Sequence, residues 1–278
     1  LAPDMRQEPM DDEITMLMAG ALPLAAHPTP NNVAIIGWGS GLSTHTVLGS
    51  TAVKRVDSIE IERAMYDGAK LFRARVARAY ADPRSFIHID DARTYFSAGK
   101  KKFDVIISEP SNPWVSGVAG LFTYQFYEFL GNHLNDGGIL VQWLQTYELN
   151  DQLLGTMLAA LTSRFPYVDA YLTNTSDMLF MASATPLPTL DYTRLQHPML
   201  EMELLRVGLG SADDFALRKI GSQEFLKTYA LLSGMEPHSD FYPTVSLQAP
   251  KARFMRLRAI LPLSLQISGI PVLEMLGQ

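Results

Sequence analysis

The feature that most constrains this chain is an alternation of short apolar segments with longer amphipathic ones. The pattern predicts strands at residues 33–36, 53–61, 86–89, 103–108 and 139–144, and helices ending at Leu48 and spanning 63–80, 123–134 and 151–165. Strands of about five residues that alternate with helices of about ten or more are typical of β-α-β units. The sequence therefore predicts an α/β fold with a doubly wound, mostly parallel sheet.

The residue types and their periodicity change at both ends of this pattern. Residues 1–30 predict a lead-in helix that stops at the Pro-rich stretch from His27 to Pro30. Residues 31–184 hold the α/β pattern, and 185–278 predict a helical C-terminal appendage with Pro-rich joints. Within it, the apolar run 259–276 is interrupted by two prolines and predicts a pair of helices packed on the core.

Composition excludes several kinds of protein. The chain has 278 residues and no cysteine, which excludes a disulfide scaffold, a thiolate zinc site and a cysteine nucleophile. Its formal net charge of -6 gives no electrostatic reason to expect a nucleic acid partner. The six histidines lack ligand spacing, so no metal site is predicted. The apolar stretch 16–26 is too short to span a membrane.

A glycine-rich turn, Gly37-Trp38-Gly39-Ser40-Gly41, follows the first predicted strand. Glycines allow the backbone to pass close to a ligand and leave a helix N-terminus free to meet it. Alone, the turn is as compatible with a tight connection as with nucleotide-type binding. The dinucleotide fingerprint Gly-x-Gly-x-x-Gly is absent, because the chain has Leu42 directly after the third glycine.

Acidic residues lie at the carboxyl ends of the next two predicted strands. Glu60 lies about twenty residues after the glycine turn, where an acid can accept from both ribose hydroxyls. A solvated strand-end acid is the alternative, which the turn at this spacing disfavours. After the third strand, Asp91 can accept from the exocyclic amine of an adenine while Ala92 leaves room for the ring. The pair Asp90-Asp91 can equally cap the following helix, and both roles are compatible, one for each aspartate.

The fourth strand delivers Glu109 to the carboxyl edge of the sheet, where open α/β sheets bind ligands. Two prolines in the loop that follows fix where Glu109 and Asn112 point. Trp114 in this loop, and Trp143 at the end of the fifth strand, could wall the site. Trp143 is equally compatible with the core.

In their order and spacing, these residues resemble the spermidine synthase family of aminopropyltransferases, which are relatives of the class I S-adenosylmethionine methyltransferases. The resemblance covers residues 15–180 and implies the class I methyltransferase type of fold. The stretch EPSNPWVSGVAGLFT, which starts at Glu109, is similar to a bacterial branch whose members are fused to membrane transporter-like segments. The segment from Ser239 to Pro243 is similar to that branch as well, and leaves open a membrane segment in a longer parent chain.

The resemblance implies a role for each residue of the nucleoside site. The glycine turn, here Gly37, Gly39, Ser40 and Gly41, would hold the amino-acid end of the donor. Glu60 would hold the ribose, and Asp91 with Ala92 would hold the adenine. The donor would be decarboxylated S-adenosylmethionine or S-adenosylmethionine itself, and no metal would be needed.

The same resemblance implies the catalytic group. Glu109 stands where the family has the aspartate that receives a proton from the attacking amine, and Asn112 and Trp114 would contact that amine. The reaction would be a direct displacement at a carbon next to a sulfonium, so the protein must mainly align the amine and remove its proton. The implied partner is a small-molecule amine, and a homodimer remains open.

Three departures from the family pattern concern the donor and the acceptor. Ser40 replaces an aspartate of the glycine turn, and Asn112 replaces a second aspartate of the loop after strand four. The family's Tyr-Gln pair falls at Thr15-Met16. The nucleoside half of the site is therefore better supported by the sequence than the polyamine half.

Two alternatives to aminopropyl transfer stay open at this point. One is an S-adenosylmethionine-dependent methyltransferase, although the acid usual in its first motif is replaced by Ile35. The other is a non-catalytic nucleoside-binding domain of a membrane protein, which the presence of Glu109 disfavours. The predicted location is the cytoplasm, including as the soluble domain of a membrane protein.

Overall fold

A computed structural model describes residues 12–234 and 236–260. Its contacts divide the chain into two compact units that interleave along the sequence. The first contains the chain up to Glu109, His133–Val141 and Pro188–Ala216; the second contains Pro110–Asn132, Gln142–Leu187 and the chain from Leu217 onward. The predicted limits 1–30, 31–184 and 185–278 stay a prediction.

Eight strands and eleven α-helices are described within these ranges. The strands are β1 (Asn32–Ile36), β2 (Arg55–Glu60), β3 (Ser85–Ile89), β4 (Phe103–Ser108), β5 (Leu134–Gln145), β6 (Tyr167–Leu172), β7 (Asp177–Ser183) and β8 (Lys219–Gly221). The helices are α1 (Glu13–Ala26), α2 (Leu42–Val47), α3 (Arg63–Gly68), α4 (Ala77–Ala81), α5 (Ala92–Ser97), α6 (Tyr124–Asn132), α7 (Asp151–Arg164), α8 (Pro198–Arg206), α9 (Ala212–Ala216), α10 (Gln223–Ser233) and α11 (Thr244–Phe254). Short 3-10 helices cover Ala69–Phe72, Val118–Phe122 and Tyr192–Leu195.

The first unit contains the predicted parallel strands. Their order is β3-β2-β1-β4, with the first part of β5 beside β4. The pairs β1–β2, β1–β4 and β2–β3 are all parallel. Because β1 and β4 lie inside the sheet, nearly all their side chains are buried, as their continuous apolar runs predict. The register pairs Ile36 with both Ile59 and Ser108, so the carboxyl ends of β1, β2 and β4 are aligned.

The second unit contains antiparallel strands that the sequence pattern did not show. Following the end of β5, the order is β7-β6-β8, and β6 pairs antiparallel with both β7 and β8. β6 and β7 form a hairpin closed by a turn in which Asn174 Oδ1 accepts from the backbone N–H groups of Ser176 and Asp177. Residues 186–234 and 236–260 are largely helical, but they also supply the three-residue strand β8.

Two predicted elements differ from the structure. Residues 63–80 form α3, a 3-10 helix and α4 rather than one helix, and Val76 adopts φ -117° and ψ 39°, which is outside the helical region. The segment Asp136-Gly137-Gly138, whose residue types predict a turn before the strand at 139–144, lies inside β5, where Gly137 has φ 74°. Both are local backbone irregularities, and neither glycine content nor apolar periodicity predicts whether such a segment interrupts a helix or lies within a strand.

Helix α1 and the segment that ends at Ile260 lie at the two ends of the described chain. α1 ends as predicted before His27, whose N–H donates to the Pro23 carbonyl at 2.8 Å. The helix pair predicted for 259–276 lies outside the described residues beyond Ile260. Within 12–234 and 236–260, no helix has the length and hydropathy that crossing a bilayer requires.

Candidate functional site

The glycine turn after β1 adopts a conformation that requires its glycines. Gly37, Gly39 and Gly41 have φ values of 94°, 52° and 86°. The Gly37 N–H donates to the Ile59 carbonyl at 2.8 Å, which fixes the turn against β2. A Cβ placed on Gly39 would meet no atom within 4 Å, so the space beside this backbone is open. Gly41 is the N-cap of α2. The turn therefore offers open backbone beside the start of α2, as the sequence predicts.

The Trp38 side chain supports the turn, a role that the motif pattern does not predict. Its ring is 4% exposed and lies 5.1 Å from the Tyr66 ring and 5.2 Å from the Tyr80 ring. Trp38 Nε1 donates to Tyr80 Oη at 3.2 Å, and a Cβ on Gly41 would lie 3.1 Å from the indole. A tryptophan between two glycines is a signal that could have predicted this anchor.

Glu60 is held by the backbone on both sides. Its Oε2 accepts from the Trp38 N–H at 2.9 Å, and its Oε1 accepts from the Glu62 N–H at 2.8 Å. The residue is 8% exposed. An ionised carboxylate offers about four lone-pair sites, so two remain after these bonds. The turn and the carboxylate predicted to bind the ribose are thus joined by a direct hydrogen bond.

The two aspartates that follow β3, Asp90 and Asp91, make different hydrogen bonds. Asp91 is the N-cap of α5, and its Oδ1 accepts from the Thr94 N–H at 3.0 Å. Among the described residues, Asp91 Oδ2 has no hydrogen-bond partner. Asp90 Oδ1 accepts from the Asp91 N–H at 2.8 Å, and Ala92 is buried. The helix cap that the sequence allowed for either aspartate is made by Asp91. It uses one of the two carboxylate oxygens of Asp91.

Ser40 and Met16, which the resemblance marks as departures from the family pattern, lie in contact in the first unit. Ser40 Oγ lies 3.4 Å from Met16 Sδ, and Ser43 Oγ donates to the Met16 carbonyl at 3.3 Å. Thr15 is buried in α1. In the described chain, this side of the glycine turn therefore presents a thioether and a hydroxyl, with no carboxylate in the contact.

Glu109 follows β4 at the aligned edge of the sheet. Its N–H donates to the Ile36 carbonyl at 2.8 Å, and the Asp90 N–H donates to the Glu60 carbonyl at 3.0 Å. These backbone bonds connect the residues that follow β1, β2, β3 and β4 at one edge. The structure therefore places Glu109 at the edge that also carries Gly37, Glu60 and Asp90, and its side chain is half-buried.

Asn112 and Trp114 belong to the second unit. Asn112 Nδ2 donates to Tyr147 Oη at 3.1 Å, and the Trp114 ring lies 6.1 Å from the Tyr147 ring in an edge-to-face arrangement. Arg253 Cζ lies 5.4 Å from the Trp114 ring centroid. Tyr147 and Arg253 received no role from the sequence, because they are distant from the motif along the chain.

Trp143 lies in β5 and is half-buried. Its Nε1 donates to Asp177 Oδ1 at 3.0 Å. The bond ties the indole to β7, which favours the core interpretation of this tryptophan over a wall of the site. The prediction that no metal is needed stays a prediction.

A second cluster of charge lies inside the first unit at Asp57 of β2. The side chain is fully buried and contacts Arg55, His88 and Lys101. Burial by itself would raise the pKa of Asp57, but hydrogen bonds from the three partners outweigh it and lower the pKa to about 2. Burial and the nearby Asp57 charge raise the pKa of Tyr95 to about 12. The cluster lies within β2, away from the carboxyl end of the strand at Glu60.

Comparison with known proteins decides the family. The model of the spermine/spermidine synthase domain matches residues 13–183, which is more than half of the chain and includes the glycine turn, Glu60 and Glu109. This chain belongs to the spermine/spermidine synthase family. The resemblance predicted over residues 15–180 is confirmed.

Curated relatives in the spermine/spermidine synthase family are named polyamine aminopropyltransferase. The protein of Thermoanaerobacter sp. strain X514 is 31% identical over 151 residues, which is 54% of each chain. That of Methanocaldococcus jannaschii is 28% identical over 179 residues, or 64% of this chain and 57% of the relative. The chain thus spans little more than half the length of the curated relatives it matches.

Solved structures agree on the fold. The spermidine synthase of Thermotoga maritima superposes with a TM-score of 0.60 at 22% identity, covering 80% of this chain and 76% of that one. A spermidine synthase in complex with the transition-state analogue AdoDATO gives a TM-score of 0.63 at 23% identity with the same coverage. Human methyltransferase-like protein 13 gives 0.50 at 18% identity. The predicted α/β fold of class I methyltransferase type is confirmed.

Proposed function

We propose that this chain transfers an aminopropyl group from decarboxylated S-adenosylmethionine to an amine acceptor. The observation that carries the proposal is the bond between the glycine turn and Glu60, whose carboxylate is held by the N–H groups of Trp38 and Glu62. Membership of the spermine/spermidine synthase family and the names of the curated relatives support it.

The residues of the first unit fit a nucleoside donor. The open backbone at Gly39 allows a ligand to approach closely, and Glu60 keeps lone pairs for two ribose hydroxyls. Asp91 keeps one oxygen for an adenine amine while the other caps α5. In this proposal Gly37, Ser40, Gly41 and Ala92 complete the donor site.

Glu109 is the proposed proton acceptor, and Asn112 and Trp114 are the proposed acceptor contacts. A C–N bond forms between the amine nitrogen and the aminopropyl carbon, while the C–S bond breaks and its electron pair moves to sulfur. Methylthioadenosine leaves, and the proton lost by the amine goes to the Glu109 carboxylate. Because the sulfonium is already a good leaving group, alignment and proton removal are the tasks left to the protein.

Calorimetric titration with decarboxylated S-adenosylmethionine, S-adenosylmethionine and methylthioadenosine tests the donor site. We expect the decarboxylated donor and methylthioadenosine to bind, and Glu60→Ala to abolish binding of both. Glu109→Gln should retain donor binding and lose methylthioadenosine formation by at least about a hundredfold, which is typical of a missing general base. Absence of binding by all three ligands would refute the proposed function.

A methyltransferase activity is the second candidate, and one contact favours it. Ser40 and Met16 place no negative charge beside the glycine turn, so nothing in that contact repels the carboxylate of intact S-adenosylmethionine. Tighter binding of the carboxylated donor, with transfer of a methyl group and release of S-adenosylhomocysteine, would establish this candidate. Formation of methylthioadenosine would exclude it as the main reaction.

The resemblance also supports proposals about location and assembly. We place the activity in the cytoplasm, either as an independent protein or as the soluble part of a membrane protein. A homodimer is the proposed assembly, and light scattering of the purified chain tests it through its molar mass.

A further inference from the structure

We propose that Glu203 of α8 is a positioning residue for the donor site, and that it acts through His45 of α2 on the glycine turn. The inference rests on the proposed function, because the site concerned is the proposed donor site. Glu203 lies beyond residues 13–183, which the family model matches. All residues of the argument belong to the first unit. A segment outside the matched region would therefore take part in donor binding.

The first step is the short helix that follows the glycine turn. α2 has six residues, and the His45 N–H donates to the carbonyl of its N-cap, Gly41, at 2.9 Å. A helix of this length has little stability of its own, so the elements packed against it determine where it lies. His45 therefore connects the groups that hold its side chain to the last glycine of the turn.

The second step is that both nitrogens of the His45 ring have partners. Nδ1 accepts from the Arg78 N–H at 3.2 Å, so the hydrogen of the neutral ring lies on Nε2. Nε2 then donates to Glu203 Oε1 at 3.3 Å. Burial is the main reason why the pKa of His45 lies below its ordinary value, which favours the neutral ring. Glu203 thus holds the hydrogen-bearing side of the ring.

The third step is that ion pairs fix the position of Glu203. Arg75 Nη1 lies 2.6 Å from Glu203 Oε2, and Arg75 Nη2 lies 3.0 Å from Glu13 Oε2 at the start of α1. Arg206 of α8 lies 3.6 Å from the same Glu13 oxygen. Burial by itself would raise the pKa of Glu203, but the hydrogen bond from His45 and the charge of Arg75 outweigh it and lower the pKa. The carboxylate is therefore ionised, and it links α8 to α1 and α2.

Close packing supports the same arrangement. Leu200 of α8 is fully buried, and a Cβ on Gly49, just after α2, would lie 2.7 Å from Leu200 Cδ2. A Cβ on Gly20 of α1 would lie 2.9 Å from Thr46 Cγ2 of α2. Neither approach leaves room for a larger residue, so α1 and α8 together define the position of α2.

These contacts indicate what the loss of Glu203 would do. His45 is 5% exposed, so solvent does not readily replace the acceptor of its Nε2 hydrogen. The ring must then reorient or α2 must shift, and the Gly41 carbonyl moves with the His45 N–H. A ligand that approaches the backbone of the turn closely needs that backbone in place. The expected effect is a lower donor affinity in a chain that is still folded.

Glu203→Leu tests the inference, and Glu201→Leu is the matched control at an exposed position of the same helix. Calorimetry gives the affinity for methylthioadenosine and for decarboxylated S-adenosylmethionine, under conditions where urea denaturation shows each variant to be fully folded. A loss of global stability alone leaves these affinities unchanged. We expect Glu203→Leu to weaken both ligands by about tenfold, the range of a hydrogen bond to a charged group, and Glu201→Leu to match the wild type.

A double-mutant cycle tests whether Glu203 acts through His45. His45→Phe keeps a ring of similar size and removes both nitrogens. In the His45→Phe background, Glu203→Leu should change the affinity by no more than about twofold, because the interaction is already lost. If Glu203→Leu does not fold, Glu203→Gln replaces it throughout. Its single amide oxygen cannot accept from both His45 and Arg75, so a loss of at least about threefold is expected.

Spectra of the chain labelled with 15N at glycine observe the turn directly and need no ligand. The amide resonance of Gly41, assigned by its absence in Gly41→Ala, should shift in Glu203→Leu and stay in place in Glu201→Leu. An unshifted resonance, affinities equal to those of Glu201→Leu, or a full loss in the His45→Phe background would each overturn the inference. Failure of the wild type to bind methylthioadenosine and both donors would instead refute the proposed function.

Discussion

Ser40 Oγ and Met16 Sδ are 3.4 Å apart, so two positions that the resemblance marks as departures from the family pattern are in direct contact. One belongs to the glycine turn and the other to α1, and the contact joins a hydroxyl to a thioether. A change at one position alters the environment of the other. Under the proposed function, the absence of a carboxylate from this contact would affect which donor binds.

Ser40→Asp tests this arrangement. The new carboxylate should attract the amino group of decarboxylated S-adenosylmethionine and repel the carboxylate of the intact donor. We expect the ratio of the two affinities, measured by calorimetry, to rise about tenfold in favour of the decarboxylated donor. Ser40→Asn, which has a similar shape without the charge, should leave the ratio unchanged. Equal changes for both donors in Ser40→Asp would contradict the interpretation.

Gly39→Ala and Gly41→Ala should separate ligand approach from stability. Gly39 has φ 52° and open space around a Cβ, so alanine there should cost about 1 kcal/mol of unfolding free energy and still weaken methylthioadenosine binding. Gly41 has φ 86°, and its Cβ would lie 3.1 Å from the Trp38 indole, so alanine there should cost about 2–3 kcal/mol. Urea denaturation and calorimetry measure the two effects. Equal stability losses would show that the Trp38 contact does not matter.

Glu60→Gln should weaken both the turn and the ligand site. Glutamine has one acceptor oxygen, so its amide nitrogen must face the N–H of Trp38 or Glu62. We expect a loss of about 1–3 kcal/mol in unfolding free energy and at least about a tenfold loss in methylthioadenosine affinity. Glu62→Gln is the control, since its side chain is exposed and only caps α3 by accepting from the Ala64 N–H. A normal affinity in Glu60→Gln would remove Glu60 from the donor site.

Asp57 should make stability depend on pH in the acid range. Its pKa in the folded chain is about 2 instead of the ordinary 3.8, so its ion pairs stabilise the fold above pH 3.8. This contribution, about 2 kcal/mol, is lost as the pH falls from 3.8 toward 2. Urea denaturation of the wild type and Asp57→Asn at pH 7, 4 and 2.5 measures it. The difference in unfolding free energy between them should shrink on acidification, and a constant difference would refute the assignment.

The parallel half of the sheet could be predicted from the sequence because each of its strands carries a local signal. β1 and β4 are buried on both faces, so their apolar runs are continuous, and the glycines and acids that follow mark where they end. The hairpin of β6 and β7 and the short strand β8 lack such a signal. β8 has only three residues, and it pairs with β6, which lies far from it along the chain.

The sequence by itself determined the residue types and spacing of the proposed donor site: the glycine turn, Glu60, the Asp90-Asp91 pair and Glu109. These positions follow from chain order, because parallel strands bring their carboxyl ends to one edge. Only the tertiary structure decided that Trp38 anchors the turn, that Ser40 meets Met16, and that Arg253 lies over Trp114. Such contacts join residues far apart in sequence, and packing geometry rather than local propensity selects them.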